Sequence, residues 1–361
     1  MRARIIRPGP AATGGRKSPA KPAAPRTTAT PAATATPPAV RQVRVDEHGD
    51  GQRLDNFLLR LLKGVPKTHV YRLIRGGEVR VNKGRAAPDT RLAAGDVVRV
   101  PPVRVAAPAA APPAPAREFP VLYEDEHLLA IDKPAGVAVH GGSGVSFGVV
   151  EQLRRARPEK TFLELVHRLD KETSGILLLA KKRSALKHLQ EQFRSRDTGK
   201  TYAALVQGRW PAARQLIDLP LLKTLDAAGE RHVRVVDAGH AEGRRSITLV
   251  QRLESFDGAG ERACSLLDVT IRTGRTHQIR VHLAHERHPI VGDPKYGDFA
   301  ANRRWARGEA LPGHRFERMF LHARRLRFVH PADGRTIELD SPLPAECEAL
   351  LAALRAPTSA T

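Results

Sequence analysis

Nine consecutive residues, His167-Arg168-Leu169-Asp170-Lys171-Glu172-Thr173-Ser174-Gly175, carry the most suggestive chemistry in the chain. They set a carboxylate, Asp170, directly after an arginine and an apolar residue, then pass through small residues into Ile176-Leu177-Leu178-Leu179-Ala180. That short apolar run, flanked by turn residues and charge, reads as a buried strand. Asp170 then sits on a loop anchored by a rigid element, a frequent address for a catalytic group. An ionised carboxylate so placed can serve as nucleophile or proton acceptor. A lone aspartate serves equally as a helix cap or as a partner for Arg168, so position alone leaves its role open.

The elements that must position this loop lie between about residues 118 and 355. Strand patterns occur at 128–131, 176–180, 202–206, 246–253 and 263–271, and helical patterns at 184–194 and 276–285. Several strands follow one another without an intervening helix. The pattern predicts an α+β domain on a mixed, largely antiparallel sheet. No repeat of fixed period is present.

A second compact unit is predicted over 42–100. Leu54, Phe57, Leu58, Leu61 and Leu62 recur at helical spacing, with Arg53 and Arg60 near the ends. Residues 67–75 read as another short helix, stopped by Gly76-Gly77. Strand patterns follow at 78–82 and 96–100. Two helices followed by a small hairpin sheet resemble the small RNA-binding domain first described in a small-subunit ribosomal protein. Its candidate RNA contacts here are Arg53, Lys67, Arg72 and Arg75.

Residues 1–41 form a basic Ala-, Pro- and Thr-rich tail. With almost no large apolar side chains to offset the entropy of ordering, it is expected to be disordered. Residues 101–117 read as a Pro/Ala linker, and 356–361 as a terminal tail. The tail is acid-free, as organellar transit peptides are, but it is rich in proline and lacks their helical periodicity.

The chain carries 60 Lys and Arg against 38 Asp and Glu, a net charge of +22. Removing the nine Lys and Arg that precede Asp46 leaves about +13, so the fold itself is basic. This balance points to a polyanion, most commonly nucleic acid. Cys264 and Cys347 lack metal-type spacing, and a reducing compartment, the cytoplasm, is expected. No apolar run approaches the roughly 20 residues that span a bilayer, so no membrane association is expected.

Several patches occur in the order, and with the wording, of one family. They are Asp132-Lys133-Pro134-Ala135-Gly136 with Val139-His140-Gly141-Gly142; the Asp170 loop; Lys200-Thr201-Tyr202-Ala203-Ala204-Leu205-Val206; and Gly274-Arg275-Thr276-His277-Gln278-Ile279-Arg280-Val281-His282. The last continues through His288-Pro289-Ile290-Val291-Gly292-Asp293, and Leu321-His322-Ala323 is a softer match. With the small unit, the resemblance covers about residues 45 to 355. The chain resembles the RluA-type pseudouridine synthases, and its wording is closest to those acting on 23S rRNA.

The resemblance implies isomerisation of uridine to pseudouridine, without cofactor or metal, on 23S rRNA of the maturing large ribosomal subunit. A monomer would suffice. It implies Asp170 as the catalytic carboxylate, whether nucleophile or proton acceptor. Arg280 is implied as its cationic partner and Tyr202 as the ring that stacks on the target uracil. Arg168 is implied as the residue that enters the space left by the flipped uridine, with His167 beside it and Leu321 as an apolar wall. A plain phosphate contact accounts for Arg168 equally well, and core packing for Leu321.

Other readings fare worse. His277, His282, His285 and His288 invite a metal, but no cysteine or zinc-type pair accompanies them. Gly141-Gly142-Ser143-Gly144 lacks the Lys-Ser/Thr end of a phosphate loop. Ser174 lacks the glycine arrangement of a hydrolase elbow. The remaining rivals are a non-catalytic RNA-binding or ribosome-assembly protein and a synthase acting on another RNA. A precisely placed carboxylate opposes phosphate binding and favours the enzyme.

Overall fold

The computed structural model describes residues 39–62, 64–103, 114–141, 147–160, 162–225, 231–258 and 262–356. Most of the predicted basic tail, most of the Pro/Ala linker and the run that follows Gly141 lie outside them. Two compact units are present, Met1–Pro108 and Ala109–Thr361.

The first unit runs β1 (Arg41–Arg44), α1 (Leu54–Leu61), α2 (Lys67–Arg75), β2 (Arg80–Val81), β3 (Gly84–Arg85) and β4 (Val97–Val100). Its sheet has the order β1-β4-β2-β3. Leu54, Phe57 and Leu58 of α1 and Val70, Leu73 and Ile74 of α2 share one core with Val98 and Val100. This is the amphipathic spacing read from the sequence. The predicted strand at 78–82 is shorter than expected, because Asn82 and Lys83 adopt positive φ (49° and 70°) and turn the chain into β3. Strand β1, absent from the sequence reading, precedes the helices and pairs only with β4. As a mostly exposed edge, Arg-Gln-Val-Arg needs no apolar alternation.

The second unit comprises β5 (Val121–Glu124), β6 (Leu128–Lys133), α3 (Val149–Ala156), β7 (Glu164–Leu165), β8 (Ser174–Ala180), α4 (Arg183–Ser195), β9 (Gly199–Gln207), β10 (Arg214–Asp218), β11 (Leu221–Leu225), β12 (Arg231–Val235), β13 (Ile247–Phe256), β14 (Cys264–Ile271), α5 (Gln278–His285), α6 (Phe299–Arg307), β15 (Leu321–Val329), β16 (Thr336–Asp340) and α7 (Ala345–Arg355). The main sheet runs β10-β13-β14-β9-β15-β8-β6-β5, with β16 on β15 and β7 on β8. Pairing is antiparallel except between β15 and β8, which run parallel. The sheet is therefore mixed and largely antiparallel, and β11 and β12 form a separate hairpin.

Strand β8 explains its own sequence. Leu177 and Leu179 join a core with Val149 and Leu153 of α3, while Ile176, Leu178 and Ala180 join another with Leu186 and Leu189 of α4. Both faces are covered, so the strand is apolar throughout rather than alternating. At its start Gly175 has φ +108°, and a Cβ there would lie 2.4 Å from the Ala323 carbonyl oxygen. Only glycine lets the Asp170 loop enter the sheet this close to β15.

Candidate active site

The Asp170 loop, between β7 and β8, is tied down from behind. Lys133, fully buried at the end of β6, donates to the carbonyls of Pro134 (2.8 Å), Val137 (2.9 Å) and Lys171 (3.1 Å). The Gly136 amide donates to the same Lys171 carbonyl at 2.9 Å. Burial pulls the Lys133 ammonium down to about 7. Its three carbonyl acceptors match the three N–H donors of the charged form and oppose that pull. The Asp-Lys-Pro-Ala-Gly segment is thus a clamp on the residue next to Asp170.

On the opposite side stands α5. Gln278 is buried and pins the helix start: its amide oxygen accepts from Thr273 Oγ1 (2.7 Å), and its Nε2 donates to the Ile247 carbonyl (3.0 Å) and Thr248 Oγ1 (2.9 Å). The helix begins at Gln278, later than the predicted 276, because His277 has φ +52°, outside the helical region. One turn in, Arg280 directs a fork at Asp293, with Nε to Oδ2 at 2.8 Å and Nη2 to Oδ1 at 2.7 Å. Its remaining terminal nitrogen, Nη1, reaches Asp170 Oδ2 at 3.3 Å. Burial disfavours charge on both Arg280 and Asp293, but their hydrogen-bonded pairing outweighs it, raising the guanidinium pKa and lowering that of the carboxyl. The Lys295 and Tyr296 amides also donate to Asp293 Oδ1 (2.8 and 3.0 Å).

His277 approaches Asp170 from the same helix end, with Nε2 3.8 Å from Oδ2. Its Nδ1 lies 2.8 Å from the Tyr296 hydroxyl, which accepts from the Val233 amide at 3.2 Å. With Val233 occupying an acceptor position, the phenolic proton is free to point at Nδ1, which leaves the ring proton on Nε2, facing Asp170. Burial lowers the His277 pKa and favours this neutral form.

A cavity of about 110 Å³ collects these groups. Asp170, Tyr202, His277, Arg280 and Leu321 line it, with exposed Arg168 at its edge. Tyr202 holds its phenol proton tightly: burial raises its pKa first, and the Asp170 charge adds to this. The structure therefore brings together Asp170, Tyr202, Arg280, Arg168 and Leu321.

His167 does not line the cavity. Its ring stacks on Phe193 (4.8 Å between centroids), its Nε2 accepts from the Leu178 amide at 3.1 Å, and burial pushes its pKa down to about 4. Ser174 is buried too, and its histidine partner is His322 at 2.9 Å rather than His167. The other histidines of α5 and beyond take separate partners: His282 meets Thr248 and the Leu219 carbonyl, and His288 the Gln207 carbonyl. Among the described residues no three His, Cys, Asp or Glu side chains are arranged to hold a metal ion.

In the first unit, Lys67, Arg72 and Arg75 are exposed along α2. Arg53 is committed within its own unit. It forks onto buried Asp55 (3.1 and 2.7 Å), which also accepts from the Tyr71 hydroxyl at 2.9 Å.

Comparison with known proteins follows this geometry. A family model described as RNA pseudouridylate synthase matches residues 127–285, and one described as S4 domain matches residues 52–98. The chain is 48% identical over 324 residues to Ribosomal large subunit pseudouridine synthase C of Yersinia pestis, covering 88% of this chain and 97% of that one. The same-named protein of Escherichia coli (strain K12) is 48% identical over 312 residues, covering 85% and 94%. The chain belongs to the RNA pseudouridylate synthase family. Among solved structures, Human RNA Pseudouridylate Synthase Domain Containing 4 superposes with a TM-score of 0.53 at 27% identity, covering 65% of the synthase and 93% of the human chain.

The synthase thus joins a small S4 domain to a mixed α+β catalytic unit. The segment matched to the synthase model holds Asp170, Tyr202, His277 and Arg280, while Asp293 and Leu321 fall beyond it. Asp293, Lys133 and the His277–Tyr296 pair were given no role on sequence grounds. Asp293 carried a signal of its own, an acid placed directly after Pro289-Ile290-Val291-Gly292, where burial demands a cationic partner.

Proposed function

We propose that the synthase isomerises specific uridines of 23S rRNA in the maturing large ribosomal subunit, without a cofactor, in the cytoplasm. Asp170 is its catalytic carboxylate. The names of the Yersinia pestis and Escherichia coli relatives support the large-subunit substrate. The two cysteines, both buried thiols, suit a reducing compartment. The single observation that carries the chemistry is Asp170 held 3.3 Å from the Arg280 guanidinium, in one cavity with Tyr202.

The reaction breaks the bond from ribose C1′ to uracil N1 and forms one from C1′ to C5. A proton is lost at C5 and one gained at N1, so nothing is oxidised and nothing is transferred to water. An ionised carboxylate is required whether Asp170 attacks the sugar or takes a proton from it. Arg280 sets a positive charge beside Asp170 and holds one of its oxygens in place. Tyr202 offers its ring face to the displaced uracil, and Leu321 closes the wall behind it. Arg168 enters the space the uridine vacates when it leaves its stack. We assign His167 to packing the loop rather than to the substrate.

We take residues 42–100 as the attachment domain, with Lys67, Arg72 and Arg75 supplying salt-sensitive contacts, and 118–355 as the catalytic domain. The test is pseudouridine mapping on unmodified 23S rRNA incubated with wild type or Asp170→Asn. Pseudouridine from wild type alone is the expected result. If neither protein modifies an RNA that both bind and that another synthase can modify, the non-catalytic reading takes its place.

A further inference from the structure

Arg275 and Thr276, which edge the Asp170 cavity, also line a larger one of about 390 Å³. Its other walls come from the β11–β12 hairpin and from the turn that leads into β13. Leu221 and Val233 give it an apolar side, and Lys223 and Arg244, with Arg275, a cationic one. The walls are fixed by backbone: Arg244 and Leu221 exchange amide–carbonyl hydrogen bonds at 2.9 Å, and the Val233 amide is held by Tyr296 of the catalytic site.

The cations are available for a ligand. Lys223, Arg244 and Arg275 are exposed, and none forms an ion pair among the described residues. Arg245, next along the chain, shows the contrast, with its guanidinium spent on Asp218 at 2.6 Å. A cavity with an apolar wall, three open cations and a shared border with the reaction site has the chemistry of a nucleotide site.

We infer that this cavity binds the nucleotide adjoining the target uridine. Its phosphate rests on Lys223, Arg244 and Arg275, and its base lies against Leu221 and Val233. The inference rests on the proposed function, which puts the target in the Asp170 cavity, whose border at Arg275 and Thr276 this cavity shares. Glu242, the one acid among the described residues of the lining, repels phosphate and accepts from a base N–H, so it favours a neighbour with an amino or imino donor.

The test uses the full chain, an unmodified 23S rRNA transcript and time-resolved pseudouridine mapping. Lys223→Ala/Arg244→Ala removes two exposed cations, and Arg155→Ala/Lys160→Ala removes two exposed cations outside this lining as a charge-matched control. In the first variant KM rises about tenfold with kcat within about twofold, and the salt slope of binding falls by about 0.7 for the loss of one single-strand phosphate contact. In the control KM changes by less than about twofold. Unchanged KM and slope in the first variant, or an equal change in both variants, overturns the subsite while an active wild type leaves the proposed function standing. A wild type that makes no pseudouridine overturns both. In a synthetic RNA carrying a mapped target, an abasic residue beside the uridine raises KM. No rise with the abasic residue on either side overturns the base contact.

Discussion

Asp293→Asn separates what holds Arg280 from what Arg280 does. The two side chains are 5% and 1% exposed, so their fork is a buried ion pair. Asparagine keeps an acceptor for the Lys295 and Tyr296 amides but sets an amino group against the guanidinium. Breaking one side of a buried pair costs about 3–5 kcal/mol. Asp170, already 3.3 Å away, compensates part of the exposed charge, so we take the lower end, about 3 kcal/mol. For a unit of this size that lowers Tm by about 6–12 °C. Arg280 then turns toward Asp170, and a displacement of about 1 Å in the site costs on the order of 100-fold in kcat.

The assay pairs thermal unfolding with single-turnover pseudouridine formation, on Asp293→Asn and on Arg280→Met/Asp293→Asn. Replacing both charges by neutral groups of similar volume returns stability to within about 1 kcal/mol of wild type. Turnover stays lost, because Asp170 has no cation. A single variant that melts and turns over like wild type refutes the claim that the fork positions Arg280. A double variant that recovers both stability and turnover removes Arg280 from the reaction.

Two further predictions follow from other parts of the catalytic unit. His277→Ala lowers single-turnover rate about tenfold, the scale of one hydrogen bond to a charged group, and Tyr296→Phe lowers it less; wild-type rates in His277→Ala would exclude the imidazole from the site. Asp125 is held at about 2 although partial burial favours the neutral acid, because the His127 and Leu128 amides, Tyr123 and His330 all donate to it. Its folded pKa lies below the ordinary 3.8, so its stabilisation is complete above about pH 4 and is lost as pH falls toward 2. Asp125→Asn therefore costs about 1–2 kcal/mol at neutral pH after allowance for solvent screening, and it flattens the acid limb of a stability–pH curve; an unchanged acid limb would contradict this.

What the sequence disclosed followed burial. Strand β8 was legible because cores on both faces make it apolar, and α1 and α2 because each has one buried stripe. Strand β1 was not, since an exposed edge leaves no pattern. Asp170, Tyr202 and Arg280 were legible through family wording, while their convergence needed β9 placed between β14 and β15 and α5 set beside them. His167 misled because adjacency along the chain says nothing about direction: Arg168 reaches the cavity edge while its neighbour packs on Phe193. The partner of Arg53, Asp55 two residues on, was not read from the sequence either.

The arrangement around Arg280 also answers a chemical difficulty. A guanidinium facing one carboxylate closes both oxygens into a bidentate pair and lowers their basicity, which suits an anchor and hampers a catalyst. Here Asp293 takes the fork, and Asp170 receives a single longer contact through Oδ2. In the proposed reaction Asp170 Oδ1 keeps its lone pairs for the sugar, while Oδ2 takes the single contact from Arg280. The second acid also sets the charge balance. Arg280 and Asp293 cancel, so the buried centre of the site is left with the Asp170 carboxyl, which must meet a polyanion. The open cations Arg168 and Arg275 at the cavity edge offset that repulsion without contacting the carboxylate. Removing Asp293 would therefore do more than loosen an arginine, because it would free the Arg280 fork to close on Asp170, the proposed catalytic carboxylate.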